Sequence, residues 1–586
     1  MADGGLPPET SWWAAWPGLY EAELAAFERH GAAVTVAHKA GGLLILEVAW
    51  PDGQSSLPLR IGYSPLHPFF RPSVGAPTLQ LQRHQHPLDA GLCLITQGSG
   101  EWRSSQKVAD FIAEQLPKVY AANAARAEGR LEEAAQLEEQ APDPLSSYYA
   151  HLAADDSAIF FAAGELAPKG TVGFAHFEVG SRASAPGAFE AVLRKTEPAT
   201  GSWLGKTFMM PLADAAPQKV EGRWVRMTPP ATSDVQAILA DAEAVFAKAT
   251  ILQPAQAKRL SALGKAERTI TGIVFKEELG YGPASAGDGW LFIASSNEPD
   301  TGKRINVLVR GYRIGGDLQA RVPVAAALAS KKVLLVGAGA IGSFAGLELA
   351  RAGIKNVDIV DFDVVEPGNS VRWPLGRPVW GVRKVVALKD FIERNYPNVE
   401  VRASELRIGG GRTEALDDVA PGDNPLTVLN RLILGADIVV DASASTECHE
   451  ALAYACRRLG KPMVLGYATE GAAGGVVARF PADGQACYVC FQEHWRDTDF
   501  PKPSVDPAGT ITPVGCNQPT FTGSAFDLQE VALELTRSAV GLLAPEVYDP
   551  GAWRVAVLSL MEDGRRTLPQ WRPAMLAPRC DECKPE

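Results

Sequence analysis

Apolar and polar positions follow three different patterns along this 586-residue chain. In the first region, a helical pattern covers Trp16–Gly31, where apolar residues recur on one face. A longer helical pattern runs from Gln106 to Gln140, and Pro117 is expected to kink or break it. Between them lie a Pro- and His-rich loop and three strand-like runs: Ala33–Ala37, Leu43–Ala49 and Leu57–Tyr63. This pattern predicts an α+β domain over residues 1–145.

The second region, residues 146–310, alternates strand-like runs with loops and contains one clear helical pattern, Ser233–Lys248. The predicted strands are Ala158–Ala163, Val172–Val179, Trp224–Met227, Ile270–Phe275, Trp290–Ala294 and Arg304–Val309. Because no constellation of catalytic residue types occurs here, we expect a mixed linking domain.

From residue 311 to 586 the chain alternates apolar strands with helical patterns. The run KKVLLVGAG leads into a helix over Ile341–Ala352, and NVDIVDFD, ADIVVDAS and KPMVLGYA are further strands. Strands that are apolar throughout and separated by helices are typical of a parallel sheet covered on both faces. The third region is therefore predicted to be a Rossmann-like α/β domain.

Composition narrows the possible function classes. The formal net charge of −12 argues against a nucleic-acid scaffold, which needs a basic surface. No apolar run reaches the ~20 residues of a membrane-spanning helix, and the first residues lack the form of a secretory signal. We expect a cytoplasmic protein with neither a membrane nor a nucleic acid as partner, whose eight cysteines are reduced.

A glycine-rich motif, Gly337-Ala-Gly339-Ala-Ile-Gly342, follows the first apolar strand of the third region and opens a helix. Its glycines allow the backbone to turn tightly and to approach a phosphate, which the helix N-terminus attracts. Asp361, at the end of the next strand, is placed to hold a ribose hydroxyl. The motif predicts a nucleotide site but does not separate a dinucleotide from ATP.

Polar and cationic residues after the second strand favour ATP. Asp363, Asn369, Arg372 and Lys384 carry more charge than a nicotinamide needs, whereas a triphosphate requires cations and a metal-binding carboxylate. Asp441 ends a later apolar strand and is a candidate Mg²⁺ ligand, since such sheets bind ligands at the carboxyl ends of their strands. An NAD-dependent oxidoreductase is the alternative, and it would bind nicotinamide without Mg²⁺.

The pattern D-x-D-x-V-x-x-x-N-x-x-R is complete over residues 361–372. It resembles the adenylating domain of ubiquitin-activating enzymes and of the ThiF/MoeB-type sulfur-carrier adenylyltransferases, and the resemblance covers residues 311–586. It implies adenylation of a C-terminal carboxylate by ATP, with release of pyrophosphate. The roles it implies are the ribose for Asp361, the phosphates for Asn369, Arg372 and Lys384, and Mg²⁺ for Asp441.

Members of that family also use an arginine that precedes the first strand, often supplied by a partner subunit. The corresponding run here is Arg310-Gly-Tyr312-Arg313-Ile, a loose match to the family's R-Y-x-R-Q. The resemblance therefore implies that Arg313 is catalytic and that the protein is a homodimer.

Two C-x-x-C pairs, Cys487 with Cys490 and Cys580 with Cys583, predict a tetrahedral Zn²⁺ site. Four thiolates leave no open coordination position, so this zinc would be structural and would tie the end of the chain to its domain. The same two pairs occur in the activating-enzyme family. A redox-active dithiol is the alternative interpretation.

Cys516 lies in a Pro/Gly-rich loop before an amphipathic helix that starts near Gly523. A thiol close to a helix N-terminus can be a nucleophile. The segment resembles the crossover loop of activating enzymes, which implies that Cys516 takes the activated carboxylate from AMP as a thioester. Cys448 and Cys456 lie on a helical pattern and are expected to be packing residues.

Cys93 follows a His-Pro pair at His86 and has apolar neighbours, which fits a buried packing residue. Residues 1–145, however, resemble a ubiquitin-conjugating domain in their order of helix, strands, Pro-rich loop, His-Pro, Cys, Trp and helix. The resemblance implies a nucleophilic Cys93. The family's Asn after His-Pro is Leu88 here, so the oxyanion must be supported by other groups, such as His84, His86 or backbone N–H groups.

The three regions together resemble bacterial fusion enzymes of anti-phage operons, in particular the ligase that accompanies cGAS-like nucleotidyltransferases in CBASS systems. In such a fusion the middle region, residues 146–310, also fits an inactive adenylation domain by its position alone. The resemblance implies adenylation, a thioester on Cys516, transfer to Cys93, and ligation of the nucleotidyltransferase's C-terminus to an amine of a target protein. Both cysteines lie in one chain, which raises their effective concentration. Two alternatives are the same relay with a bacterial ubiquitin-like protein as donor, and a sulfur-carrier adenylyltransferase in which residues 1–310 are dispensable.

Overall fold

The structure is a computed structural model whose chain divides into two compact units, the first ending at residue 316 and the second following it. No helix among the described residues is long and apolar enough to cross a membrane. The residues that the structure describes are 11–81, 84–94, 102–137, 145–149, 152–153, 156–162, 170–181, 188–197, 218–248, 254–278, 286–298, 300–314, 321–396, 398–410, 424–512 and 520–584.

Unit 1 begins with two helices, α1 (Trp12–Ala15) and α2 (Pro17–Arg29), followed by an antiparallel meander of four strands. Buried and exposed residues alternate along the second and third strands, as expected for a sheet with one face on a core and the other in water. Helix α3 (Val108–Ala127) contributes Phe111 and Ile112 to that core. The strands are β1 (Ala33–Ala40), β2 (Leu43–Asp52), β3 (Ser55–Tyr63) and β4 (Ser73–Gly75).

The helical pattern that follows the meander divides at a different residue from the one predicted. Helix α3 continues through Pro117, because Leu116 and Val119 beside it are buried in the core and this packing outweighs the hydrogen bond that a proline removes. The helix ends before Gly129, whose φ of +76° is the left-handed conformation that glycine favours. A separate helix, α4 (Leu131–Leu137), follows.

The remainder of unit 1 contains a closed barrel of seven strands, in the order β10-β11-β5-β7-β6-β8-β9 when the strands are numbered along the chain. Aromatic side chains such as Trp224, Trp290 and Phe292 fill its interior. Three helices, α5 (Leu145–Tyr149), α6 (Val235–Lys248) and α7 (Pro254–Gly264), belong to the same part. The strands are β5 (Ala158–Ala162), β6 (Val172–Ser181), β7 (Phe189–Glu197), β8 (Gln218–Arg226), β9 (Arg268–Glu278), β10 (Ala286–Asn297) and β11 (Arg304–Ile314).

This barrel differs in two ways from the expected linking domain. An inactive adenylation domain would have a parallel sheet with helices on both faces, whereas here the strands close on themselves around side chains. Strand β11 also continues past the predicted boundary at residue 310, since it pairs in parallel with β5 as far as Ile314. Residues 311–314 therefore belong to the barrel.

Unit 2 is built on an eight-stranded mixed sheet with helices between its strands. The helices are α8 (Ala325–Leu328), α9 (Gly342–Ala352), α10 (Lys384–Asn395), α11 (Pro425–Gly435), α12 (Thr446–Arg458), α13 (Tyr488–Arg496) and α14 (Ala525–Leu543). The eight strands of this sheet are β12 (Lys332–Val336), β13 (Asn356–Asp361), β14 (Glu400–Glu405), β15 (Ile438–Asp441), β16 (Met463–Ala468), β17 (Gly474–Phe480), β20 (Val555–Glu562) and β21 (Arg565–Ala574). Strands β18 (Thr510–Ile511) and β19 (Thr520–Phe521) form a separate antiparallel pair.

The strand order of the large sheet is β14-β13-β12-β15-β16-β17-β20-β21. Its first five strands are parallel and the last three are added antiparallel. Along β12, Val333 and Leu335 face one buried cluster with α9, α10 and α14, while Leu334 and Val336 face another with α11, α12 and α13. The prediction of a parallel sheet covered on both faces is confirmed for this part of the sheet.

The chain order reverses direction at β12, because β13 and β14 lie on one side of it and β15 and β16 on the other. The loops that leave the carboxyl ends of β12 and β15 diverge at such a point and open a crevice. The glycine motif follows β12 and residues 442–445 follow β15, so both border this crevice.

Candidate active site

A cleft of about 1540 Å³ lies at the carboxyl ends of the parallel strands of unit 2. Among the residues that line it are Gly337, Gly339, Asp361, Asp363, Asn369, Arg372 and Lys384, so the structure brings these predicted residues together. The volume exceeds the ~300–1,000 Å³ of an ordinary small-molecule pocket. It is large enough for a nucleotide together with part of a second reactant.

The glycine loop that joins β12 to α9 is fixed by close backbone packing. Gly337 has a φ of +88°, and a Cβ on it would lie 2.7 Å from the Ala442 backbone. A Cβ on Gly342 would lie 1.8 Å from the carbonyl oxygen of Gly337. A Cβ on Gly339 would meet nothing within 4 Å, so that position faces open space at the start of the 11-residue helix α9. This arrangement leaves room for a phosphate at the helix N-terminus.

Asp361 holds the glycine loop as well as bordering the cleft. Its Oδ2 accepts the backbone N–H of Ala338 at 2.6 Å, and its Oδ1 accepts the backbone N–H of Asp363 at 2.8 Å. The indole N–H of Trp373 donates to the carbonyl oxygen of Ala338 at 2.7 Å. The loop is thus held from two sides, by a carboxylate and by an indole.

Two ion pairs line the far side of the cleft. Lys384 Nζ lies 2.9 Å from Asp363 Oδ2, and its side chain is nearly buried. Arg383 lies 2.6 Å from Glu405 Oε1. Asn369 accepts the backbone N–H of Glu366 at 3.0 Å and so fixes the turn that leads to Arg372. These contacts pre-order the cations that a triphosphate would meet.

Arg372 is a half-buried cation that donates to the Phe521 carbonyl oxygen and to Thr520 Oγ1. Burial lowers the pKa of its guanidinium. Within the described part of the chain no carboxylate pairs with it, so an anion in the cleft would relieve the cost of burying this charge. Thr520 and Phe521 form β19, directly after residues 513–519; the predicted nucleophile Cys516 lies there, outside the described residues.

The structure places Asp441 differently from the expectation that it faces the cleft as an Mg²⁺ ligand. Its side chain is fully buried and is absent from the lining of the cleft. Its Oδ1 accepts the backbone N–H of Ser443 at 2.9 Å and its Oδ2 contacts His449 Nδ1 at 2.7 Å. A buried carboxylate needs such donors, and its burial keeps both oxygens out of the cleft where a cation would bind.

Arg313 is likewise engaged within its own unit. Its guanidinium donates to Glu277 Oε1 at 3.1 Å and to the carbonyl oxygen of Asp288 at 2.6 Å. Glu277 is almost fully buried, and burial raises the pKa of its carboxyl. A buried carboxylate needs a cation beside it, and in this chain Arg313 supplies that cation to Glu277. Its catalytic role stays a prediction.

The four predicted metal-ligating cysteines, Cys487, Cys490, Cys580 and Cys583, form one cluster. Their Sγ atoms all lie within 4.8 Å of one another, and three of the separations are 3.5, 3.6 and 4.0 Å. A tetrahedral Zn²⁺ with Zn–S bonds of ~2.3 Å requires Sγ separations of ~3.8 Å. Arg457 donates to Cys583 Sγ at 2.6 Å and offsets negative charge. The donor set therefore fits zinc.

In unit 1, Cys93 is partly buried at the end of a hairpin-like loop, where its backbone N–H donates to the His84 carbonyl oxygen at 2.8 Å. His86 Nδ1 accepts the backbone N–H groups of Leu88 and Asp89, at 3.2 and 3.3 Å. His86 therefore holds the turn that leads to Cys93. Leu88 packs on a cluster of the barrel part of unit 1, which gives this residue a structural role.

Comparisons with known proteins bear on the whole chain and on unit 2. The protein y4oA of Sinorhizobium fredii is 50% identical over 576 residues, which cover 97% of both chains. The protein y4qC of the same organism is 30% identical over 564 residues, covering 91% of this chain and 90% of that protein. This chain belongs to their family.

The model of the ThiF family matches residues 318–544, which include the whole cleft. The molybdopterin-synthase adenylyltransferase of Escherichia coli is 28% identical over 185 residues, which cover 31% of this chain and 64% of that protein. Unit 2 therefore contains a ThiF/MoeB-type adenylation domain, as the D-x-D…N-x-x-R pattern predicted. The family model ends before Cys580.

Sequence reasoning missed several residues that shape these sites. Trp373 follows Arg372 directly, and nothing in its pattern indicated that its indole holds the glycine loop. His449 was not singled out, although it lies in the first turn of the helix that follows the strand ending at Asp441. Arg71 lies close enough to Cys93 for the thiolate to act on its pKa, while burial, the larger effect, lowers that pKa.

Proposed function

We propose that this protein uses ATP to activate the C-terminal carboxylate of a protein and ligates it to an amine of a target. One observation carries the proposal: the cleft of the ThiF-family domain combines a glycine loop at a helix N-terminus with two cations, Arg372 and Lys384. Arg372 is half-buried and pairs with no carboxylate among the described residues. In the first step a carboxylate oxygen attacks the α-phosphorus of ATP. The acyl-adenylate forms and pyrophosphate leaves.

Each contact in the cleft suits one part of the nucleotide. The start of α9 would receive phosphate, and Asp361 at the end of β13 is placed for the ribose. Arg372 and Lys384 would stabilise the charge that builds up on the α-phosphate. Mg²⁺ is expected with ATP, and Asp363 and Glu447 are carboxylates that line the cleft, whereas Asp441 is buried and does not line it.

The acyl group would then move through two thioesters. The Cys516 thiolate attacks the acyl carbon and AMP leaves; the Cys93 thiolate attacks this thioester and the Cys516 thiol is released. The target amine finally attacks the Cys93 thioester, forming an amide and releasing the Cys93 thiol. The Arg71 guanidinium near Cys93 supports this part of the proposal, since a cation favours the thiolate and is a candidate to support the oxyanion in place of the family's Asn.

For the donor we propose the C-terminus of a cGAS-like nucleotidyltransferase in an anti-phage operon, with a bacterial ubiquitin-like protein as the second candidate. A homodimer is part of the same proposal, although Arg313 as placed is engaged with Glu277. A sulfur-carrier adenylyltransferase is a further candidate, because the molybdopterin-synthase adenylyltransferase of E. coli is 28% identical to this chain over 185 residues. These residues are 31% of this chain. In that case residues 1–310 would be dispensable for adenylation.

The proposal is tested by incubating the full chain with ATP, Mg²⁺ and the product of a neighbouring gene, followed by non-reducing gels. Wild type, Cys516→Ala and Cys93→Ala are compared. Cys456→Ala is the control, because Cys456 is a buried thiol outside the cleft lining, and Cys448→Ala tests the thiol that does line the cleft. We expect an ATP-dependent, thiol-sensitive adduct that is lost in Cys516→Ala and stalls before amide formation in Cys93→Ala.

Formation of acyl-adenylate without any thiol-sensitive adduct would remove the relay and favour the sulfur-carrier function. An adduct that survives Cys516→Ala and disappears in Cys448→Ala would show that the first thioester forms on Cys448 and not on Cys516. The absence of any ATP-dependent product with all donors would contradict adenylation itself.

A further inference from the structure

The buried pair of Asp441 and His449 lies directly beneath one wall of the cleft. Both side chains are almost fully removed from water. His449 Nδ1 lies 2.7 Å from Asp441 Oδ2, and we assign Nδ1 as the donor because a carboxylate oxygen accepts hydrogen bonds. The imidazole also stacks on Tyr467, with ring centroids 5.7 Å apart. A charge-assisted hydrogen bond in such surroundings holds both partners in one orientation.

This pair closes a loop of the chain that forms part of the cleft. Residues 442–445, here called the serine loop, leave β15 after Asp441, and all four line the cleft. Ser443 N–H is held by Asp441, and the Ser445 hydroxyl oxygen accepts the Cys448 N–H at 3.3 Å to cap α12. One turn into α12, His449 returns to Asp441. The two ends of the serine loop are therefore joined by the His449–Asp441 bond.

The serine loop in turn supports the glycine loop. A Cβ on Gly337 would lie 2.7 Å from the backbone of Ala442 and 2.8 Å from Ser443 N, so the two backbones are in close contact. A Cβ on Gly342 would lie 3.1 Å from Ala442 Cβ. Any shift of the serine loop would therefore move the loop that faces the nucleotide.

The same pair is connected to the four-cysteine cluster. Tyr488, between Cys487 and Cys490, packs against the His449 ring with centroids 6.4 Å apart. Helix α12, which carries His449, also carries Arg457, and Arg457 donates to Cys583 Sγ. Two independent contacts thus join the cluster to the wall of the cleft.

We propose that His449 is a positioning residue for nucleotide binding: it fixes Asp441, and through Asp441 it holds the serine loop against the glycine loop. The inference rests on the proposed function, because it assumes that the cleft binds ATP. It assigns Asp441 to the support of the cleft and not to the cation. The pair should then affect the binding of nucleotide even when no divalent cation is present.

The test measures binding of a fluorescent ATP analogue to the full chain, in EDTA and again with Mg²⁺. His449→Leu, which removes the donor, is expected to weaken binding about tenfold or more in both conditions. His449→Asn keeps an N–H near the position of Nδ1 and is expected to remain within about threefold of wild type. His494→Leu is the matched control, because His494 pairs with Asp499 at 2.8 Å in the same unit but does not line the cleft.

The outcomes separate this inference from the proposed function. If wild type itself does not bind ATP, adenylation fails. If wild type binds and His449→Leu binds equally well, the inference is wrong. A loss seen in Mg²⁺ but not in EDTA would also overturn it, and would return Asp441 to the role of cation ligand. A loss in His449→Leu that His449→Asn does not recover, with unchanged thermal stability, would exclude the hydrogen bond as the cause.

Discussion

The Sγ–Sγ distances in the four-cysteine cluster predict that the cluster binds one zinc ion. A Zn–S bond of ~2.3 Å places tetrahedral Sγ atoms ~3.8 Å apart, and the separations of 3.5, 3.6 and 4.0 Å lie within about 0.3 Å of that value. Burial acts to raise the pKa of Cys490, but backbone N–H groups of Cys580, Cys487 and Arg579 outweigh it and lower that pKa to about 6. The three separations fit four thiolates around one tetrahedral zinc.

The perturbation is Cys583→Ser, which removes one ligand near the end of the chain. Structural zinc sites contribute apparent free energies of ~10–16 kcal/mol in peptides, so one of four thiolates represents roughly 3 kcal/mol. For a unit of this size, a change of 1 kcal/mol shifts the Tm by ~2–4 °C, which gives an expected loss of roughly 6–12 °C for unit 2. A loss of roughly 3 kcal/mol weakens zinc affinity about 100-fold, so Cys583→Ser should release its zinc at a chelator concentration that leaves wild type loaded.

The assay combines elemental analysis of the purified protein with calorimetric unfolding of the full chain. Cys93→Ser is the matched control, because it replaces another partly buried thiol in unit 1 and should change neither zinc content nor the transition of unit 2. Wild-type protein that carries no zinc and whose transition is unaffected by Cys583→Ser would refute the assignment. It would leave the dithiol interpretation in its place.

Three further predictions concern single residues. Asp361→Asn puts an N–H or a weaker acceptor opposite a backbone N–H now held at 2.6 Å, so nucleotide affinity should fall about tenfold, and an unchanged affinity in a fluorescence titration would contradict this. Arg71→Met should slow iodoacetamide alkylation of Cys93 at neutral pH severalfold, as followed by mass spectrometry, whereas Arg60→Met should not; equal rates would remove Arg71 from the site. Burial raises the pKa of Glu277 above its ordinary 4.5, so its contribution to stability is present in acid and is lost as pH rises through the folded-state pKa. Urea unfolding of unit 1 across that interval should show this slope in wild type and not in Glu277→Gln.

Local patterns predicted most of unit 2. The glycine motif, the strand that ends at Asp361 and the two C-x-x-C pairs each depend on short-range chemistry, and the structure places the motif's residues in one cleft. Of the kink or break expected at Pro117, the break does not occur, because a proline's effect on a helix depends on whether its neighbours are buried, which a local pattern does not contain.

Local sequence patterns did not predict which distant strands pair with each other. Strand β11 joins β5 across about 150 residues, and this parallel pair closes the barrel and carries Arg313 inside unit 1. The burial of Asp441 follows from His449, a contact between a strand end and the next helix that no spacing rule singled out. From the sequence, Arg313 and Asp441 were predicted to act on a bound ligand. In the structure, Arg313 pairs with Glu277 and Asp441 contacts His449.

The proposed function depends on adenylation of a carboxylate in the cleft of unit 2. The most direct measurement is the exchange of labelled pyrophosphate into ATP by the full chain, with and without a donor protein, for wild type and Arg372→Ala. We expect donor-dependent pyrophosphate exchange in wild type. The exchange should fall about 100-fold or more in Arg372→Ala, because a cation at the transferring phosphate is lost. Exchange that is absent in wild type with every candidate donor, or that is equal in Arg372→Ala, would contradict it.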